Sequence, residues 1–427
     1  MTEPTSPLHI RDFRLYWLSR FVASFATTGM IVVLGYQLYD VARSDYAMSV
    51  PLAAFQLGLF GLVQFVPMLL FTPVSGLVAD RFERRMVATC AIAIDLLIAA
   101  ALAWATWADA VTLPMLFVLG ALHGSARVFI APSLGSIPPN IVPAEVLPRA
   151  IAMSSLSWQM ASIAGPVAAG YLFARVAAGP YALAAVLLAV SIALLLAIRP
   201  VHPPADNRKA HPLRQIADGF AYVRGNRFLL GCITLDLFAV LLGGATALLP
   251  VFARDILHVG PEGLGQMRAA TALGAVSVGL WLSVRPIAHD VGAKMLAGVA
   301  VYGAATLAFG LSRWLPFSLA MLALLGAGDM VSVFIRNSLV QLNTPDAVRG
   351  RVQAISSLAI SASNELGEMQ SGLAAALLGA TGAVVFGGVG AIGVTLAWAA
   401  IFPELRRVKS FAPHYRSLVE PQPEPVP

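Results

Sequence analysis

The stretch SGLVADRFERR, residues 75–85, packs five charges into six positions: Asp80, Arg81, Glu83, Arg84 and Arg85. On each side lie more than twenty residues that are almost all apolar. A bilayer span needs about 20 predominantly apolar residues, so the stretch reads as a short polar turn between two membrane helices. Cations alone would fix the side of the membrane on which such a turn stays. Interleaved carboxylates imply something more, a set of groups that need partners.

Outward from this turn the same pattern continues. The chain has 427 residues, of which 58% are hydrophobic and only 12% charged. A soluble domain carries about 25% charged residues. Apolar runs of spanning length recur along almost the whole sequence, without the ~10-residue alternation of a membrane barrel. The expected class is an all-α membrane protein. Cys90 and Cys232 both sit inside apolar runs and offer neither a disulfide framework nor a zinc spacing. The N-terminal MTEPTSPLHIRDFRLYW lacks the charged leader and small-residue cleavage site of a signal peptide, so the first apolar run is expected to remain as a helix. A net charge of +6 could suggest nucleic acid, but the positions of the cations argue otherwise.

Twelve spans are expected, at 14–39, 54–78, 86–107, 113–136, 150–174, 180–198, 228–252, 263–284, 293–311, 316–342, 352–378 and 383–402. The connections after the even spans, with the two tails, hold 20 of the 28 Lys and Arg. Those after the odd spans hold only Arg43, Arg175, Arg254 and Arg313. That positive-inside bias puts both termini in the cytoplasm. The longest polar segment, 199–227, divides the chain. It begins Pro-rich, and Leu213, Ile216, Ala217, Phe220 and Val223 then follow helical spacing, as in an amphipathic interfacial helix. The expected organisation is a six-helix bundle at 1–198, a cytoplasmic linker at 199–227, a second six-helix bundle at 228–403 and a cytoplasmic tail at 404–427.

The halves repeat each other. VFIAPSLGSI (128–137) matches VFIRNSLVQL (333–342) at an offset of 205, and after a three-residue insertion IVPAEVLPRAIAMSSL (141–156) matches NTPDAVRGRVQAISSL (343–358) at an offset of 202. Both copies run in the same direction across the membrane. Two parallel six-helix repeats about an axis normal to the bilayer resemble a major facilitator transporter. The charged turn is similar to that superfamily's signature Gly-x-x-x-Asp-Arg/Lys-x-Gly-x-Arg/Lys-Arg/Lys, carried here by Gly76, Asp80, Arg81, Arg84 and Arg85, with Glu83 where the family has glycine and without the spacer residue that follows it. The resemblance implies a conformational latch between the two halves. GPVAAG, 165–170, resembles the Gly-Pro-x-x-Gly-Gly element of exporting antiporters through Gly165, Pro166 and Gly170, with Ala169 departing from it. Together with HPLRQIADGF, NTPDAVRGRV and the terminal ELRR, these stretches resemble the enterobactin-exporter-like subfamily, which also includes macrolide exporters. That resemblance implies efflux without naming a cargo.

Ionisable residues inside apolar spans cost ~2.5–3.5 kcal/mol each at a helix centre, so they are functional candidates facing the bundle interior. Glu365 and Glu368, in SASNELGEMQSG, share one helical face with Ser361 and Asn364. Two carboxylates so close in a low dielectric cannot both be ionised cheaply, which suits proton exchange and makes them the first proton-coupling candidates. A structural hydrogen-bond knot with Asn364 is the competing reading. Asp329 and Arg336 lie seven residues apart, about 10 Å along the helix axis, so each is expected to meet another helix. Asp95 and Asp236 complete the proton-coupling candidates. Arg20, Arg127 and Arg336 are their candidate charge partners, with Asp95–Arg20 the favoured pairing. His123 and Arg268 are weaker candidates.

No Walker pattern, catalytic triad or metal spacing stands out, so neither an enzyme, a cofactor nor a bound metal is expected. The expected function is secondary export of an amphiphilic small molecule such as a siderophore or macrolide, coupled to protons, by a monomer in a bacterial inner membrane, with no nucleic-acid partner. An uptake facilitator of the same fold and a non-transporting scaffold or sensor are the alternatives.

Overall fold

The computed structural model describes residues 6–201, 212–285 and 287–411. The side chains of Pro73, Gly76, Leu77, Ala79, Asp80, residues 212–216 and residues 346–347 fall outside this description. The described residues are almost entirely helical. Six long helices form the first half: α1 (Arg11–Ser44), α2 (Val50–Arg81), α3 (Arg84–Trp107), α4 (Leu113–Gly135), α5 (Leu147–Arg175) and α6 (Gly179–Leu196). After a shorter helix α7 (Pro212–Gly225) come α8 (Arg227–Leu242), α9 (Gly260–Val284), α10 (Val291–Leu311), α11 (Leu315–Leu342) and α12 (Asp346–Ile401).

Ten helical stretches among the described residues are long and apolar enough to cross a membrane. The twelve expected spans are reached in two steps. At 56 residues α12 would run about 84 Å, far beyond one bilayer crossing. Gly379 breaks it with φ 74° and ψ 164°, a conformation open to glycine alone, so α12 supplies two spans. The 29-residue α5 is long enough, but Ser154, Ser155, Ser157, Gln159 and Ser162 dilute its hydropathy.

Span 7 departs from its expected form. A single helix over 228–252 was expected; α8 instead starts on Asn226, whose Oδ1 accepts from the backbone N–H of Phe228 and Leu229, and stops at Leu242. Gly243 and Gly244 interrupt it. A 3₁₀ turn, a short helical turn containing Pro250 and a π-helical turn at Phe252–Ile256 follow, the last closed by Leu257 N–H donating to the Phe252 carbonyl. The three-residue insertion of the repeat appears as the short helix Pro138–Ile141.

The packing repeats with the sequence. In the first half α1 packs on α5, α2 on α4, α3 on α4 and α3 on α6; in the second, α8 packs on α12, α9 on α11, α10 on α11 and α10 on α12. Across the seam α2 lies against α12, and α5 lies reciprocally against α9. Large apolar side chains point outward, as a lipid-facing surface requires: Leu97, Val284 and Leu377 are 69%, 78% and 76% exposed. On α7, Val223 is buried and Gly219 abuts the backbone of Arg351, while Phe220 stays exposed.

The two faces of the bundle differ. One, the terminal face, carries both described chain ends, the α2–α3 turn and α7. On the opposite face a continuous apolar core crosses the seam, from Val33, Leu34 and Leu38 of α1 to Leu249 and Phe252, with the Phe252 and Phe309 rings 4.6 Å apart. A second core, with Leu229, Val291 and Ile335, joins the second half to Val223 of α7 and to Leu405 after α12.

Candidate functional site

Glu365 and Glu368 lie on the α12 face that meets α2. Close approach is permitted there by glycines: a Cβ on Gly58 would stand 2.8 Å from Gly372 Cα, and one on Gly61 would stand 2.8 Å from Glu368 Oε2. The two carboxylates line one small seam cavity of about 80 Å³, together with Gln64, Arg127 and Arg268. Arg127 Nη2 donates to Glu365 Oε1 at 2.7 Å, an ion pair that joins α4 of the first half to α12 of the second. The Glu365 side chain is 8% exposed and that of Arg127 48%. Two arginines and two glutamates therefore face one another at the seam. Asn364 is exposed and makes no side-chain hydrogen bond among the described residues, so it does not knot the pair.

A larger cavity of about 560 Å³ opens within the first half, walled by α1, α3, α4 and α5, and shares Arg127 and Ile31 with the seam cavity. Asp95 and His123 sit in its wall, Asp95 Oδ1 at 2.8 Å from His123 Nδ1, both buried. This corrects the expected pairing of Asp95 with Arg20. Neighbouring helices α3 and α4 bring the histidine to the carboxylate. Arg20 instead reaches one turn back along its own helix, where Nη1 donates to Tyr16 Oη at 3.0 Å, and that hydroxyl donates to the Leu134 carbonyl.

The remaining intramembrane candidates lie elsewhere. Arg336, 2% exposed, pairs with Asp236 between α11 and α8. That pair is internal to the second half and lines neither cavity. Asp329 is half-buried, also outside both cavities, and makes no hydrogen bond or ion pair among the described residues.

In the charged turn, the side chains of Gly76 and Asp80 lie outside the described residues. Arg81 is exposed. Arg85 pairs with Glu83 at 2.8 Å and donates to the Leu196 and Ile198 carbonyls, while Arg84 donates to the Ser136 carbonyl at 3.0 Å. All these partners belong to the first half. Gly165 packs on α1, where an added Cβ would stand 2.6 Å from the Phe25 carbonyl oxygen. Gly170 and Pro166 pack on α9 across the seam. A Cβ on Gly170 would stand 2.4 Å from the Pro261 oxygen, and one on Gly265 would stand 2.7 Å from the Pro166 oxygen.

Sequence reasoning missed a cluster on the opposite face. Tyr39 Oη donates to Asp255 Oδ2 at 2.5 Å, Arg43 lies 3.4 Å from Asp255 Oδ1, and Arg254 lies 3.1 Å from Asp40 Oδ1. These bonds tie the end of α1 to the π-helical turn of the second half. The available signal was that two of the four cations on the sparse side, Arg43 and Arg254, each have a carboxylate close by in sequence. The hydrogen bonds between the two six-helix halves made by Tyr39, Arg43, Arg127, Arg254 and Gln266 lie at the middle of the bundle or on the opposite face.

Comparison with known proteins agrees with this architecture. The Major Facilitator Superfamily family model matches residues 16–368. The chain belongs to the major facilitator superfamily. It is 28% identical to the enterobactin exporter EntS of Citrobacter koseri, over 97% of this chain and 94% of that protein. It is 27% identical to the enterobactin exporter EntS of Escherichia coli O1:K1, over 94% of each. Among solved structures it superimposes on a POT family transporter in complex with 5-aminolevulinic acid, with a TM-score of 0.73 at 13% identity, covering 93% of this chain and 97% of that one. It also superimposes on a bacterial homologue of the human lysosomal transporter Spinster, with a TM-score of 0.69 at 14% identity, covering 93% and 97%. This superfamily member is a multi-pass membrane transporter of small molecules, built as twelve transmembrane helices in two pseudo-symmetric bundles.

Proposed function

We propose that the chain is a secondary active exporter that exchanges protons for an amphiphilic small molecule by alternating access. Its two units are residues 1–198 and 228–403, joined by a linker at 199–227 and followed by a tail at 404–427. Both termini are cytoplasmic, as the 20-to-4 distribution of Lys and Arg favours, and the membrane is a bacterial inner membrane. The protein works as a monomer.

The observation that carries this reading is the Arg127–Glu365 ion pair across the seam, with Glu368 and Arg268 beside it. An ionised Glu365 holds α4 to α12 through Arg127. A protonated Glu365 loses the charge that makes the bond strong. Gaining or losing one proton therefore changes the free energy of the interface that must rearrange when the halves rock, and a ligand shifts a two-state equilibrium only through such differential interaction. Glu368 shares the cavity and is the second proton-holding group. With the opposite face tied shut by Tyr39, Arg43, Arg254 and their carboxylates, the conformation is one open toward the cytoplasm. The relatives named as enterobactin exporters support outward transport of a siderophore-like or drug-like cargo.

The test uses purified protein in vesicles with an imposed pH gradient, with enterobactin and a macrolide as probe cargoes. The expected result is cargo movement against the proton flow, lost in Glu365→Gln while the protein remains folded. Cargo movement with the protons would establish uptake instead. No movement of either cargo or protons would leave the scaffold reading.

A further inference from the structure

The 560 Å³ cavity of the first half is of drug-sized capacity, and its charges are unequally accessible. Its one carboxylate, Asp95, is fully buried and turned toward His123. The acid that balances Arg127 is Glu365, 8% exposed, which lies in the neighbouring seam cavity. The two guanidinium groups are the accessible ones: Arg127 is about half exposed, and Arg20 is half-buried on the cavity wall. Arg20 has no carboxylate partner among the described residues. Of the five N–H donors of a guanidinium, one is engaged, by Tyr16, whose hydroxyl is in turn anchored on the Leu134 carbonyl. That anchoring holds the group in place and leaves its remaining donors to the cavity. The hydroxyls of Thr27 and Thr28 donate to backbone carbonyls of their own or a neighbouring helix and do not engage it. Apart from Ser24 the rest of the lining is apolar, with Ile31, Ile130 and Leu134, and Trp158 stands exposed at the side.

We propose that this cavity is the cargo site of the transporter described above, and that it selects a small organic oxyanion, its charged head received by Arg20 with Arg127 alongside and its apolar body against Trp158. The inference rests on the transport reading for the word cargo, and on the cavity alone for the sign of the charge. Arginine suits the role because its planar fork matches a carboxylate or sulfonate. An anion would also leave an inside-negative cell with the electric field and not against it.

Three dansyl compounds with one fluorophore and different heads test this on the full chain in lipid nanodiscs, with empty nanodiscs subtracted. These are dansylglycine, an anionic carboxylate; dansylamide, neutral; and dansylcadaverine, cationic. The expected result is that dansylglycine binds at least tenfold tighter than the other two. Arg20→Gln should remove most of that preference, and Arg20→Lys should retain part of it. Equal affinities, tightest binding by the cation, no binding by any of the three, or a preference untouched by a folded Arg20→Gln would each overturn the inference. If Arg20→Gln does not fold, the head-charge order in the unsubstituted protein and in Arg20→Lys decides. Binding is measured without any gradient. An anion preference with no pH-driven flux therefore defeats only the proton coupling, and flux without an anion preference defeats only this inference.

Discussion

Replacing Gly170 by alanine places a methyl group where α5 touches α9. The added Cβ would stand 2.4 Å from the Pro261 carbonyl oxygen, and an alanine at Gly265 would stand 2.7 Å from the Pro166 oxygen. An ordinary carbon–oxygen contact is about 3.3 Å, so the helices must separate by most of an ångström. The obstructing atoms are backbone and cannot swing aside as a side-chain tip would. Overpacking of this kind costs about 1–3 kcal/mol. Both glycines lie five residues from the helix ends on the opposite face, so the cost falls on the conformation in which that face is shut. If the contact opens in the other conformation, the equilibrium shifts by about 5- to 150-fold. Spin labels on Val176→Cys and His258→Cys, in a background of Cys90→Ser and Cys232→Ala, would report the distance across that face by pulsed electron resonance. Gly170→Ala with Gly265→Ala should move the distribution to longer distances. Gly393→Ala, where an added Cβ meets nothing within 4 Å, should leave it unchanged. An unchanged distribution in the folded double variant would refute the view that this seam closes the opposite face.

Two further outcomes follow from the same geometry. Asp255→Asn weakens the bonds to both Tyr39 and Arg43; because the Arg43 pair is partly exposed, about 1 kcal/mol or less is at stake there, and the same labels should show a several-fold gain of the open form. Asp95→Ala leaves His123 buried without its partner, which costs about 1–3 kcal/mol and should appear as a lowered thermal unfolding midpoint.

Hydropathy is a local property, and so the helices were legible to within a few residues along most of the chain. The exceptions are instructive. Span 7 reads as one apolar run, but Gly243, Gly244 and Pro250 lie where neighbouring helices crowd the backbone: a Cβ on Gly244 would stand 2.5 Å from Ser371 Oγ. Spans 11 and 12 join with no loop because Gly379 alone turns the chain. Glu365 and Glu368 stood out because a charge in an apolar helix is costly wherever its partner lies. Arg127 was among the candidate charge partners, but which acid it meets was not legible. Arg127 meets Glu365 only because α2 lets α12 approach on bare glycine backbone, and Asp95 chose His123 over Arg20 through the rotation of α3 against α4. The opposite-face cluster escaped notice because each of its members sits near a helix end, where a charge is unremarked.

Position relative to the seam separates these ionisable residues more sharply than burial does. In a rocking mechanism each half moves as a body, so a bond inside a half is carried along intact, while a bond between halves must break. Asp236–Arg336 and Asp95–His123 are bonds of the first kind, and they can stabilise a half without sensing which way the transporter faces. Arg127–Glu365 and the Arg43, Arg254 and Tyr39 contacts are of the second kind. The repeat makes the contrast concrete. At the offset of 205, Arg336 corresponds to Ala131, one helical turn beyond Arg127 on the same face of the equivalent helix. In the second half the arginine is neutralised at home by Asp236. In the first half it reaches out to a carboxylate of the other copy. A duplicated unit used identically would neutralise both arginines internally, and nothing titratable would then join the halves at the middle of the bundle. The one-turn displacement, with acids on α8 and α12, leaves one arginine paired inside its own bundle and the other paired across the seam.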